Sequence, residues 1–248
     1  FGAVVISAVL ADVVVHVFEG PARAFTAPPY ELVNPAELIL YALLGLLAAP
    51  VSVLYSKTID GFEDLFDDWR QMPEPLKTAV GGLGVGVVGV LLLLASTALG
   101  PEDNLVFPHG ETGHLIPSVF GVGYQIINLA LLGQITIGAA LLLLAFKLLV
   151  TALTLGSGNS GGIFAPALFV GAMLGAAFGH VVNQVFPEGT GPAGAYALVG
   201  MAAVFAGAAH APATAILILF EMTGDYRIIL PLMFATVISL LISRALEP

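Results

Sequence analysis

The stretch GSGNSGGIFAP (residues 156–166) interrupts one of the most apolar parts of the chain. An apolar run at 124–155 leads into it, and another at 163–186 follows, rich in small residues. A linker of this composition belongs in water, yet here apolar sequence resumes at once. Glycines end a helix readily, and Pro166 suits the first turn of the next one, where a missing N–H costs nothing. The pattern predicts a helix start near Ile163, with the amides of Ile163, Phe164 and Ala165 unpaired inside the helix. Those amides share the positive end of the helix dipole, and their natural partner is an anion. The stretch contains no Lys or Arg. An anion there would be held by dipoles alone, which suits an ion that must both bind and leave.

Composition agrees with a membrane setting. Of 248 residues, 58% are hydrophobic and 10% charged, and the mean hydropathy is +1.00. A soluble domain of this length needs a charged surface that the chain lacks. The expected class is an all-α integral membrane protein. The chain has no cysteine, which excludes disulfides and thiolate metal sites. Much of the net charge of −10 sits in two hydrophilic stretches, 60–74 and one holding Glu102, Asp103 and Glu111. They read as solvated loops, with cation attraction as the competing reading. A basic footprint for nucleic acid is missing from the sequence. Both ends fall against apolar runs, so the chain is expected to be a piece of a larger protein.

Apolar runs fall near 3–18, 36–55, 78–99, 124–155, 163–186, 193–220 and 228–242. A simple span needs about 20 apolar residues, so some runs are short and others tilt or hold two segments. Pro50, Pro166, Pro212 and Pro231 lie within or at the start of runs. Irregular backbone at membrane depth must be packed in protein or line a wet cavity. The expectation is a compact bundle of broken and tilted helices. Gly171, Gly175 and Gly179 share one helix face and let another backbone approach, inside the bundle or across a dimer. The loop 57–77, with Lys57, Arg70 and Lys77, reads as cytoplasmic, and 101–117, without Lys or Arg, as external. Tyr55 and Trp69 bracket the first loop as interface anchors would.

Gly162-Ile163-Phe164-Ala165-Pro166 resembles the G-x-F-x-P signature of the CLC chloride channels and chloride/proton antiporters. Leu155-Gly156-Ser157-Gly158, Gly171-Ala172 and Ala211-Pro212-Ala213-Thr214 through Phe220-Glu221-Met222-Thr223 follow that family's order and spacing. The likeness is specific over 155–231 and weaker before 124. It implies a fold of two inverted repeats, with 1–20 as the last helix of the first. Residues 21–248 would then be the second repeat, truncated before its final helix and without a CBS domain. By resemblance the function is chloride transport, as a channel or a chloride/proton antiporter. The amides of Ile163, Phe164 and Ala165 would bind chloride, framed by Gly156, Ser157, Gly158, Gly161, Gly162 and Pro166. Phe164 takes the second-repeat place of the family's gating glutamate. The family's G-S-G-x-P and G-R-E-G-P signatures and its proton-transfer glutamate are absent here, and its pore-facing tyrosine would follow Pro248. The chain alone is therefore expected to be inactive. The implied partners are chloride or other small anions, protons, membrane lipid and a second copy through 1–20 and 211–244. No cofactor is implied, and the expected location is the cell membrane of a prokaryote.

Gly158-Asn159-Ser160-Gly161 also reads as the G-x-S-G of rhomboid intramembrane proteases, with His210 as the base for Ser160. Against it, Ala211-Pro212 follows His210 where rhomboids carry a glycine-rich helix contact. A phosphate-binding P-loop is excluded, because no Gly-Lys-Ser/Thr follows the glycines. Glu221 closes an apolar run and reads as an interfacial residue more readily than as part of a proton path. Lys147, the lone cation of 124–155, either draws anions toward a pore or snorkels to an interface, the second being favoured. His16, His109, His114, His180 and His210 lack metal-ligand spacing. The pair His109 and His114 lies in an acidic loop, where pH sensing competes with plain exposure.

Overall fold

Glycines spaced four apart leave a flat strip on a helix, and such strips set how closely these helices pack. The computed structural model describes residues 2–20, 25, 30, 32, 34–99, 119–224 and 226–247. Glu102, Asp103, Glu111, His109 and His114 lie outside the described residues. The helices are α1 (Gly2–Glu19), α2 (Glu37–Asp67), α3 (Glu74–Leu99), α4 (Tyr124–Leu131) and α5 (Ile137–Gly156), then α6 (Phe164–Val185), α7 (Ala193–Ala209), α8 (Pro212–Thr223) and α9 (Ile229–Leu246). Five of them, α2, α3, α5, α6 and α9, are long and apolar enough to cross a membrane. This is an all-α, multi-pass integral membrane chain.

The centre of the bundle is α7, buried throughout 193–207. It lies against α6 with almost no side chain between the backbones. A Cβ at Gly175 would stand 2.1 Å from the Tyr196 carbonyl oxygen, and one at Gly200 would stand 2.4 Å from that of Gly171. The Gly171–Gly175–Gly179 strip thus serves packing inside the bundle. Helices α2 and α9 flank the same core by similar means, since a Cβ at Gly45 would meet the Ala235 oxygen at 2.6 Å. By contrast α1 is exposed over 2–18.

Two long apolar runs divide, as their lengths allowed. Gly133, at φ +69, separates α4 from α5, and the Thr136 side chain caps α5 by accepting from the Ala139 amide at 3.3 Å. His210 adopts the left-handed region (φ 53) to end α7, and Pro212 opens α8. The hydrophilic stretch 57–77 departs from its expected form. Helix α2 continues to Asp67, so only 68–73 connects it to α3. At 31 residues α2 is about 46 Å long, more than a bilayer's ~30 Å core, and its polar end emerges while still helical. Apolar contacts keep that end docked: Phe66 is buried, and the Phe62 backbone lies 2.7 Å from where a Gly156 Cβ would be.

Glu37, unremarked in the sequence, fastens the first turn of α2 to the core. It is 2% exposed, and its Oε1 accepts from the Gly191 amide at 2.7 Å, the Tyr196 hydroxyl at 2.8 Å and the Tyr41 hydroxyl at 3.3 Å. The Tyr41 and Tyr196 rings stack at 4.7 Å beside it.

Substitutions at three sites test this packing. Gly175→Ala is expected to destabilise the protein by about 1–3 kcal/mol, because two backbones must separate to admit a methyl group. Gly82→Ala, at a helical position where a Cβ meets nothing within 4 Å, is expected to be neutral or slightly stabilising. Glu37→Ala strands three buried donors and is expected to cost about 2–4 kcal/mol, with Glu37→Gln losing less. Thermal unfolding of the full-length protein in detergent measures all of these.

Candidate anion-binding site

A helix start needs a stop before it, and Gly158 supplies that stop. Its φ of +82 is costly for any residue with a side chain, and it turns the chain out of α5. The Gly158 amide donates to the Leu155 carbonyl at 3.0 Å and the Asn159 amide to the Thr154 carbonyl at 3.2 Å, closing the helix end. Ser157 is 1% exposed, accepts from Asn159 Nδ2 at 3.0 Å and donates to the Thr154 carbonyl at 3.2 Å. Its own carbonyl accepts from the Thr78 hydroxyl of α3 at 3.3 Å. Gly81 makes room for this contact, since a Cβ there would fall 2.0 Å from Ser157 Oγ. The turn is thereby pinned to a second helix, and Gly161 and Gly162 carry the chain onward in exposed positions.

Helix α6 begins at Phe164, with Ile163 as its N-cap and no side chain capping it. The first amide to make the helical bond is that of Ala167, to the Ile163 carbonyl at 3.2 Å. Pro166 has no N–H to satisfy. The amides of Ile163, Phe164 and Ala165 have no acceptor among the described residues. These are the three amides picked out by the sequence pattern. Ile163 is 51% exposed, and the Phe164 ring rests edge-on against Phe205 with centroids 5.1 Å apart. The helix dipole adds roughly half a positive charge at this end.

Several residues sit differently from expectation. Tyr55 does not anchor an interface. It is 2% exposed, and its hydroxyl donates to the Ile163 carbonyl at 2.8 Å. Lys147 does not snorkel, because at 2% exposure its Nζ donates to the Val119 and Gly121 carbonyls at 2.7 and 2.8 Å. It also lies 5.0 Å from the centre of the Phe169 ring, beside the second turn of α6. The carbonyls lie near enough to satisfy the buried amine, so it has no need of the interface. Trp69 remains exposed in the α2–α3 connection, and Glu221 is exposed in the last turn of α8. Ser160 and His210 are both exposed and share no hydrogen bond, so the protease pairing has no geometric support. Tyr55 carried no local signal for its role. Its partner is 108 residues away in the chain, and only the fold joins them.

The family profile described as "Voltage gated chloride channel" matches residues 1–244. The chain is 36% identical to "Chloride channel protein CLC-f" of Arabidopsis thaliana, over 94% of its own length and 28% of that protein's. It is 34% identical to "H(+)/Cl(-) exchange transporter ClcA" of Vibrio cholerae, over 98% of its own length and 48% of that protein's. It therefore spans about half or less of these curated relatives. Among solved structures, a slow cyanobacterial Cl-/H+ antiporter superposes with a TM-score of 0.76 at 25% identity, covering 96% of this chain and 51% of that one. A eukaryotic CLC transporter gives 0.60 at 21% identity over 87% of this chain and 34% of that one, a likeness of fold alone. With the profile running through nearly every residue and the fold superposing over the same span, the chain belongs to the CLC, or voltage gated chloride channel, family.

Proposed function

We propose that this chain supplies part of a chloride-transport pathway, in which the amides of Ile163, Phe164 and Ala165 bind the anion. The observation that carries the reading is the set of three uncapped amides at the start of α6. Unpaired donors are unfavourable unless water or a ligand meets them, and an oriented cluster at a dipole's positive end suits a small anion. Gly156, Ser157, Gly158, Gly161, Gly162 and Pro166 act as the frame, because they stop one helix and start the next, whose first turn no side chain caps. Holding by partial charges keeps the anion exchangeable.

The relatives support the chemistry. One carries the name of a chloride channel and another that of a proton/chloride exchanger, so chloride is what they share. Residues 1–20 fit the last helix of a first repeat, and 21–248 a second repeat. A homodimer through 1–20 and 211–244 agrees with the outward apolar side chains there, such as Val4, Phe18, Leu217, Leu230 and Leu241. Helix α3 carries similar exposed side chains, Leu83 and Val87 among them, which suit lipid. Lys147 contributes a buried amine that holds 119–121 in place beside α6, and Glu221 stays off the route.

The test is transport by the full-length protein in liposomes loaded with chloride. The expected result is chloride efflux once the electrical restraint is released by an ionophore. A folded protein that moves neither chloride nor another halide under the same gradient would overturn the proposal.

A further inference from the structure

The peptide that joins Ile163 to Phe164 has an acceptor at one end and a donor at the other. Because it is planar and trans, its C=O and N–H point in opposite directions and cannot turn independently. The Ile163 carbonyl receives the Ala167 amide at 3.2 Å from within α6 and the Tyr55 hydroxyl at 2.8 Å from α2. A carbonyl oxygen has two lone pairs, and both are engaged here. Among the described residues, Tyr55 makes the only side-chain hydrogen bond to this peptide.

Other restraints act elsewhere. Exposed Gly161 and Gly162 precede Ile163, and no side chain caps the helix. Contact with Phe205 holds the Phe164 ring, not the plane of its peptide. Tyr55 itself is 2% exposed and projects from a helix whose first turn is tied to the core through Glu37. The hydroxyl is thus a fixed point outside α6.

We propose that Tyr55 is a positioning residue for the anion site, fixing the direction of the Phe164 N–H through the Ile163 carbonyl and polarising that peptide. A hydrogen bond accepted by the carbonyl draws electron density from the nitrogen, so the amide donates more strongly in turn. The inference rests on the reading of 163–165 as the anion site. It adds an interhelical control over the site's affinity, exerted from a residue that need not touch the anion.

The test uses the full-length protein and its Tyr55→Phe variant, which keeps the ring and removes only the hydroxyl. Titration calorimetry with chloride is expected to give about three- to tenfold weaker binding in the variant, the scale of one hydrogen bond. Its melting temperature in detergent is expected to stay near that of the wild type. With Ile carbonyl carbons and Phe amide nitrogens selectively labelled, the Phe164 amide nitrogen is expected to resonate upfield in the chloride-free variant. Equal chloride affinity in the two proteins would overturn the positioning role, as would an unmoved Phe164 resonance. A wild-type protein that binds no chloride would overturn the reading of the site itself, whatever the variant does.

Discussion

Starting a helix inside a packed bundle leaves first-turn donors with no carbonyl behind them, and the rest of this structure is arranged around that problem. In α6 the donors are Ile163, Phe164 and Ala165. Pro166 contributes none, and Ala167 is the first to bond. Open first-turn donors need water, a side chain or a ligand, and a Ser, Thr, Asp or Asn side chain ordinarily stands at such an end. Here that position holds Ile163, which cannot cap. An uncapped start leaves its donors open to water or to a ligand, and the approach through 161–163 is exposed.

A site built from partial charges depends on being held still, because reorganising dipoles would consume the small energy they offer. The bundle provides rigidity from several directions. Gly158 and Ser157 stop α5 and fasten the turn to α3. Gly171, Gly175 and Gly200 bring α6 and α7 together backbone to backbone. Phe205 supports the Phe164 ring, while the Tyr55 hydroxyl reaches the other side of the same residue pair. Lys147 is turned inward to the Val119 and Gly121 carbonyls and the face of Phe169. A buried amine stands near α6, but its hydrogen bonds secure protein backbone.

The glycines and Pro166 made the α6 start legible in the sequence, since each acts locally on backbone conformation. Helix existence was likewise readable from hydropathy. What escaped were features set by distance in space. Tyr55 reads as an interface residue because it borders the polar stretch, yet it is buried and its hydroxyl reaches the Ile163 carbonyl. Lys147 reads as a snorkelling cation because of a lysine's reach, whereas its acceptors are the Val119 and Gly121 carbonyls. Glu37 showed only as one acid before an apolar run, and its three donors come from 41, 191 and 196.

The orientation and openness of the 163–165 amides can be seen by crystallography of the full-length protein with chloride replaced by bromide. Anomalous scattering should place a bromide within hydrogen-bond distance of those nitrogens at the start of α6. Anomalous peaks found only elsewhere, with these amides bound to water or turned onto protein carbonyls, would contradict the site described here.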